Sequence, residues 1–215
     1  MSTPEASLFQ AKEEIALFGR TTREMFQKVV AAYDMKSSEY EKTFDKFQRD
    51  EDASDDLEVQ IADYLTMVSE SRLATESSKR LRAMFKMVSE IESIGDSALN
   101  LAKAFKRRNE AGVAMPAECT AKLKAYFEMV DRALDEMCIN LENDYKKVSI
   151  KRAYELEAEI NHYRNELKKE HIEALEEKKY DYPVGVLYSD MFMECEKAGD
   201  FIINVTEAIL EIYED

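Results

Sequence analysis

Turn-forming residues are scarce. Three prolines and five glycines among 215 residues cannot punctuate a chain of short strands, so the elements must be long, and long elements without breakers are helices. Tryptophan is absent. Cys119, Cys138 and Cys195 are odd in number, widely spaced and without a C-x-x-C arrangement, which argues for free thiols in a reducing compartment. Two histidines, His162 and His171, are too few for a ferritin-like di-metal enzyme, which needs two Glu-x-x-His motifs directed into a bundle core. The one such spacing, Glu159 to His162, sits two residues from Glu157 and so faces elsewhere. No Gly-rich phosphate loop occurs, and no apolar run reaches the ~18–20 residues that cross a bilayer. The opening residues lack the basic and apolar regions of a signal peptide. Positive charge is also short: 30 Lys and Arg against 45 Asp and Glu leave −15. That balance argues against nucleic acid or an anionic lipid surface as partner and suits cations or basic protein surfaces. These absences predict a soluble helical protein that is not an enzyme.

What is present is helical period. A first helix is expected from Thr3 or Pro4, with Thr as N-cap and Pro at the first position, fading near Asp34–Ser37. A second should restart at Ser37 or Ser38 with Glu41 as capping-box partner and run through Val68, with a local irregularity in the acidic stretch Arg49–Asp56. A third covers about Thr75 to Glu110. Gly112 and Pro116 then break the chain near its midpoint. The plan repeats: a fourth helix from about Pro116 to Tyr145, a fifth from Val148 or Ser149 to about Lys179, a sixth from Pro183 to about Tyr213. The fold class is therefore all-α, two tandem three-helix bundles of six long antiparallel helices, with repeats at 1–112 and 113–215.

One stretch occurs twice. Glu90-Ile91-Glu92-Ser93-Ile94-Gly95-Asp96-Ser97-Ala98-Leu99-Asn100 returns 104 positions later as Glu194-Cys195-Glu196-Lys197-Ala198-Gly199-Asp200-Phe201-Ile202-Ile203-Asn204, sharing E-x-E-x-x-G-D-x-x-x-N. In the sixth helix Tyr188, Met191, Cys195, Ala198, Ile202, Val205, Ile209 and Ile212 alternate spacings of three and four, a coiled-coil-like seam. The same offset lands on Met84, Met87, Ile91, Ile94, Ala98, Leu101 and Phe105 in the third. Both helices bury one stripe in one phase, and the carboxylates of Glu92, Asp96, Glu196 and Asp200 fall on or near the side away from it.

In a chain this acidic, two carboxylates four residues apart are common by chance and would ordinarily form a solvated face. Three features set these pairs apart. A mid-helix glycine costs about 1 kcal/mol relative to alanine, and here it recurs beside the same Asp, as a close approach of a neighbouring helix or ligand would require. Like charges four apart repel and call for a compensating cation. The second helix of each half supplies a matching pair, Glu51 with Asp55 and Glu157 with Asn161, offset by 106. If the second and third helices are neighbours, four oxygen-bearing side chains meet in each half. Such a set suits hard cations such as Mg, Mn or Fe, with Zn also admitted. Asn161 removes one charge from the second set, which should bind more weakly.

The E-x-x-x-D pairs on the second and third helices of a tandem three-helix repeat, with Glu-Ser-Ile-Gly-Asp and Glu-Lys-Ala-Gly-Asp in the third, resemble the PhoU family of phosphate-transport regulators. Thr3-Pro4-Glu5, Tyr64-Leu65-Thr66 and the run from Asn165 to Ile172 look like the PhoU-like domain that follows the membrane part of bacterial sodium/phosphate cotransporters. The segment before the third helix lacks the Gln-Pro-Val-Ala-like and Asp-Leu-Arg elements of stand-alone members. The resemblance implies a PhoU-like fold and a metal cluster, iron or zinc, held on the bundle surface. Its ligands would be Glu51, Asp55, Glu92 and Asp96 in the first half and Glu157, Glu196 and Asp200 in the second, with Asn161 departing from the pattern. It further implies control of phosphate uptake through contact with a transporter membrane domain or a phosphate-sensing protein, at the cytoplasmic face of the membrane. A homo-oligomer is compatible with it. The competing expectation is a metal-free module whose acidic faces dock a basic protein.

Overall fold

In a computed structural model that describes residues 3–71 and 73–213, six helices follow one another: α1 (Pro4–Ala31), α2 (Ser37–Ser69), α3 (Thr75–Glu110), α4 (Ala117–Glu142), α5 (Ile150–Glu176) and α6 (Tyr182–Glu211). Short 3-10 turns at Ala32–Asp34 and Tyr145–Lys147 lead into α2 and α5. Thr3 caps α1, its side chain accepting from the Ala6 amide at 3.3 Å, and Pro4 opens the helix. At the end of α3, Gly112 takes φ 62° while Gly112 N–H donates to Asn109 O and Val113 N–H to Arg108 O. This paired closure stops the helix. Lys178, φ 55°, closes α5 in the same way, its N–H donating to Leu175 O and the Lys179 N–H to Ala174 O.

Four boundary expectations need correction. The second helix runs unbroken through Arg49–Asp56. Phe44, Phe47, Ser54 and Ile61 are buried along its inner face, and tertiary packing of that face outweighs the weak local propensity. No side chain caps its start, where Lys36 holds the cap position, so the Ser38–Glu41 box is not formed. The fourth helix ends at Glu142, before the Tyr145–Lys147 turn, and the fifth at Glu176, where the Lys178 turn reverses the chain.

The centre of the molecule is the antiparallel pair α3 and α6, which share the most extensive contact of any two helices. Every seam residue from Met84 to Phe105 and from Tyr188 to Ile212 is buried. The seams of the two halves thus face one another. α1 and α4 pack on this pair and on each other, while α2 lies outside α1 and α3, and α5 outside α4 and α6. One continuous apolar core runs through all six helices. Arg23 fastens α1 to α4 by bonding both Asp131 and Asp135.

The repeated glycines sit where an outer helix crosses an inner one. A Cβ on Gly199 would lie 2.8 Å from Ile160 Cγ2, and one on Gly95 would lie 3.3 Å from Ser54 Oγ. Ile160 is β-branched and fully buried, so it cannot step aside. A serine hydroxyl can rotate. Gly199→Ala is therefore expected to destabilise the chain by about 1–3 kcal/mol, and Gly95→Ala to stay within about 1 kcal/mol, as clash and gained helix propensity offset. Denaturant unfolding of the two variants measures the contrast.

Candidate functional site

The Ser54–Gly95 approach brings the acidic faces of α2 and α3 together. Glu51 and Asp55 lie on either side of Ser54, and Glu92 and Asp96 on either side of Gly95. Glu51 and Glu92 are half-buried at the helix boundary, and Asp55 and Asp96 are exposed. The four residues expected in the first half thus meet across one crossing, and Glu58, one turn beyond Asp55, joins them. Burial raises the Glu92 carboxyl to about 7, with Asp96, Glu58 and Asp55 adding to the rise. Glu51 is raised by burial, then by Asp55 and by Asp96, which lies within hydrogen-bonding reach; Lys103 pulls the other way. Asp55 is raised by burial and by Asp96, and Glu58 by burial, Asp55 and Asp96.

None of these five carboxyls appears in an ion pair among the described residues. Ser54 is 6% exposed, and its hydroxyl, buried at the centre of the crossing, has no hydrogen-bond partner. Five oxygen donors of like charge around an unsatisfied hydroxyl fit a hard cation. The side chains are not closed around one: no three His, Cys, Asp or Glu among the described residues converge on a single metal position. Mutual repulsion favours such an open set, which Lys103 offsets only at Glu51.

The second half is built differently. Glu157 and Asn161 on α5 and Glu196 and Asp200 on α6 meet at the Ile160–Gly199 crossing. Asn161 Nδ2 donates to Glu157, and Arg164 pairs with Glu196 at 2.9 Å, the two side chains only 23% and 14% exposed. Asp200 is raised by burial, with Arg164 pulling it back, and Glu157 by burial and Asp200, with the Asn161 bond opposing. The 106-residue offset places Arg164 on Glu58, Asn161 on Asp55 and Ile160 on Ser54. Where the first crossing adds a fifth carboxylate and a free hydroxyl, the second adds a cation and a methyl-bearing side chain. Neither Glu58 nor Arg164 was legible from the E-x-x-x-D template. The offset that located the pairs would have found both if extended one turn.

The outer residues of the repeated stretch have another role. Asn204 Nδ2 donates to Glu90 at 3.0 Å, joining α6 to α3. The histidines stay apart from both crossings. His162 is exposed beside Glu166, and His171, half-buried, bonds the Tyr180 hydroxyl at 2.8 Å.

Residues 15–105 match the PhoU domain family. The whole chain superposes on the phosphate transport system regulatory protein PhoU from Streptococcus pneumoniae, with TM-score 0.81, 16% identity and coverage of 98% of this chain and 97% of that one. PhoU from Pseudomonas aeruginosa gives TM-score 0.85 at 15% identity, covering 97% and 98%. At these identities the likeness is one of fold. No curated protein sequence matches the chain.

Proposed function

We propose that the chain is a PhoU-like regulator of phosphate transport that acts by contact rather than catalysis and holds metal at the α2/α3 crossing. The regulatory reading is supported by the PhoU-domain match over 15–105 together with a fold that covers its relatives end to end. The metal reading is carried by one observation: five carboxyls, none of them in an ion pair among the described residues, at the crossing that buries the unpartnered Ser54 hydroxyl. Glu51, Asp55, Glu58, Glu92 and Asp96 would supply the ligands, to iron, zinc, manganese or magnesium. The bound cation would supply positive charge that orders this face. Glu157, Asn161, Glu196 and Asp200 form a weaker set, since Arg164 already neutralises Glu196.

The partner we favour is the membrane domain of a phosphate transporter of the sodium/phosphate cotransporter kind, with the chain at the cytoplasmic face of the membrane. Among the described residues no helix is long and apolar enough to cross a membrane itself. Removing this segment in cells is expected to change phosphate uptake at high or low phosphate; unchanged uptake at both would overturn the regulatory reading. A second reading, an acidic docking module without metal, is favoured by the open arrangement of the carboxylates. Elemental analysis of protein purified without chelator separates the two.

A further inference from the structure

The ties between α3 and α6 come in pairs related by the internal repeat. Lys86 pairs with Glu211 at 2.6 Å, and Arg107 with Asp190 at 2.8 Å. The 104-residue offset carries Lys86 onto Asp190 and Arg107 onto Glu211, so these are one contact made twice with the charges exchanged. The same offset carries Glu90 and Asn204, which are hydrogen-bonded, onto Glu194 and Asn100. Two contacts, each with its repeat-related copy, are thus built into the helix pair, and three of the four are made. The fourth is open: Glu194 Oε2 is buried without a partner. Asn100 and Glu194 line a groove of about 480 Å³ with Lys103, Arg107 and Asp190.

Two lysines account for the gap. Lys197 Nζ donates to Glu194 Oε1 at 2.8 Å, and Lys103 Nζ lies 3.4 Å from Asn100 Oδ1. At the closed contact the corresponding positions hold Ser93 and Glu207, neither of which is a cation. Lys103 is also the cation whose charge acts on Glu51 in the first acidic set, and Asn100 stands one helical turn beyond Asp96 on the same face. One ammonium therefore serves the acidic crossing and restrains the open contact.

We propose that Asn100 and Glu194 form a latch between the two halves of the molecule, engaged when a divalent cation occupies the α2/α3 crossing. The inference rests on cation binding at that crossing. With a divalent charge held there, Lys103 is repelled and no longer serves as counter-charge, so it leaves Asn100 Oδ1. With its Oδ1 released, the Asn100 side chain is free to turn and donate through Nδ2 to Glu194 Oε2, as Asn204 does to Glu90, and the groove narrows. α3 and α6 are the central pair, so a change at their contact reaches both bundles.

Mn²⁺ titration of the full chain by calorimetry tests the latch. Asn100→Ala and Glu194→Ala should each weaken Mn²⁺ binding about fivefold or more. The double variant should be no worse than the weaker single, because both remove one contact. Lys103→Gln should strengthen binding. In chelator, a double-mutant cycle on thermal unfolding should show no coupling between positions 100 and 194, since that contact is then unmade; a purely structural pair would couple there too. Unchanged Mn²⁺ affinity in Asn100→Ala, or losses that add, overturns the latch alone. Absence of Mn²⁺ binding by the unaltered chain overturns the metal reading and the latch together, so the two failures are told apart.

Discussion

A cation that occupies the α2/α3 crossing at a hundred times its dissociation constant is expected to stabilise the chain by about 2.7 kcal/mol. For a chain of this size that is a rise in Tm of about 5–10 °C, and Glu92→Gln with Asp96→Asn is expected to erase it. The double change keeps side-chain shape and hydrogen-bonding capacity and removes two of five charges, so a lost shift reports ligation and not unfolding. It also has a predicted effect without metal. Crowded carboxyls oppose folding, and neutralising two should raise the Tm in chelator even as the response to Mn²⁺, Fe²⁺ or Zn²⁺ disappears. A variant that unfolds lower in chelator and still responds to metal would place the ligands elsewhere.

The pH dependence of the metal-free chain follows from the same crowding. The Glu92 carboxyl is raised to about 7, first by burial and then by Asp96, Glu58 and Asp55, above its ordinary value of 4.5. The folded state therefore binds more protons than the unfolded state between these values. The stabilisation from this group is full below 4.5 and is lost as pH rises through about 7. In chelator, the Tm of the unaltered chain should fall relative to that of Glu92→Gln between pH 5 and 8, and parallel curves would show that Glu92 titrates normally.

The parts of this molecule that depend on local period were legible in the sequence, and those that depend on helix register were not. The seam from Met84 to Phe105 and its copy from Tyr188 to Ile212 could be read because spacings of three and four say which face is buried without reference to a partner. The crossing partners of Gly95 and Gly199 could only be guessed, since nothing in a linear pattern says that Ser54 stands opposite one and Ile160 opposite the other. The Glu90–Asn204 bond lay further out of reach because it needs the antiparallel register of α3 on α6. The irregularity expected in Arg49–Asp56 failed for the converse reason. Its poor propensity is a local property, and Phe44, Phe47 and Ile61 hold the helix in place from either side of it. Glu58 and Arg164 carried a readable signal, the 106-residue offset, that a four-residue template truncates.

Arg164 marks the point where the two halves diverge in chemistry, and removing it should have the largest effect on stability of any single change at the crossings. Its guanidinium pairs with Glu196, whose side chain is only 14% exposed, and opposes the rise of Asp200. Arg164→Met keeps much of the apolar stem and leaves Glu196, half-buried, beside Asp200 and Glu157 with no cation. Breaking a pair of this kind costs about 3 kcal/mol, a fall in Tm of about 6–12 °C for this length, and Mn²⁺ should recover part of it by replacing the missing charge. The mirror experiment is constructive: Asn161→Asp with Arg164→Glu gives the second crossing the carboxylate set of the first. If Arg164 stands where a metal would otherwise be needed, that variant should be unstable in chelator, recover with Mn²⁺, and bind about twice as much of it as the unaltered chain. A Tm unmoved by Arg164→Met would show that the ion pair is incidental and that the weakness of the second set lies in Asn161 alone.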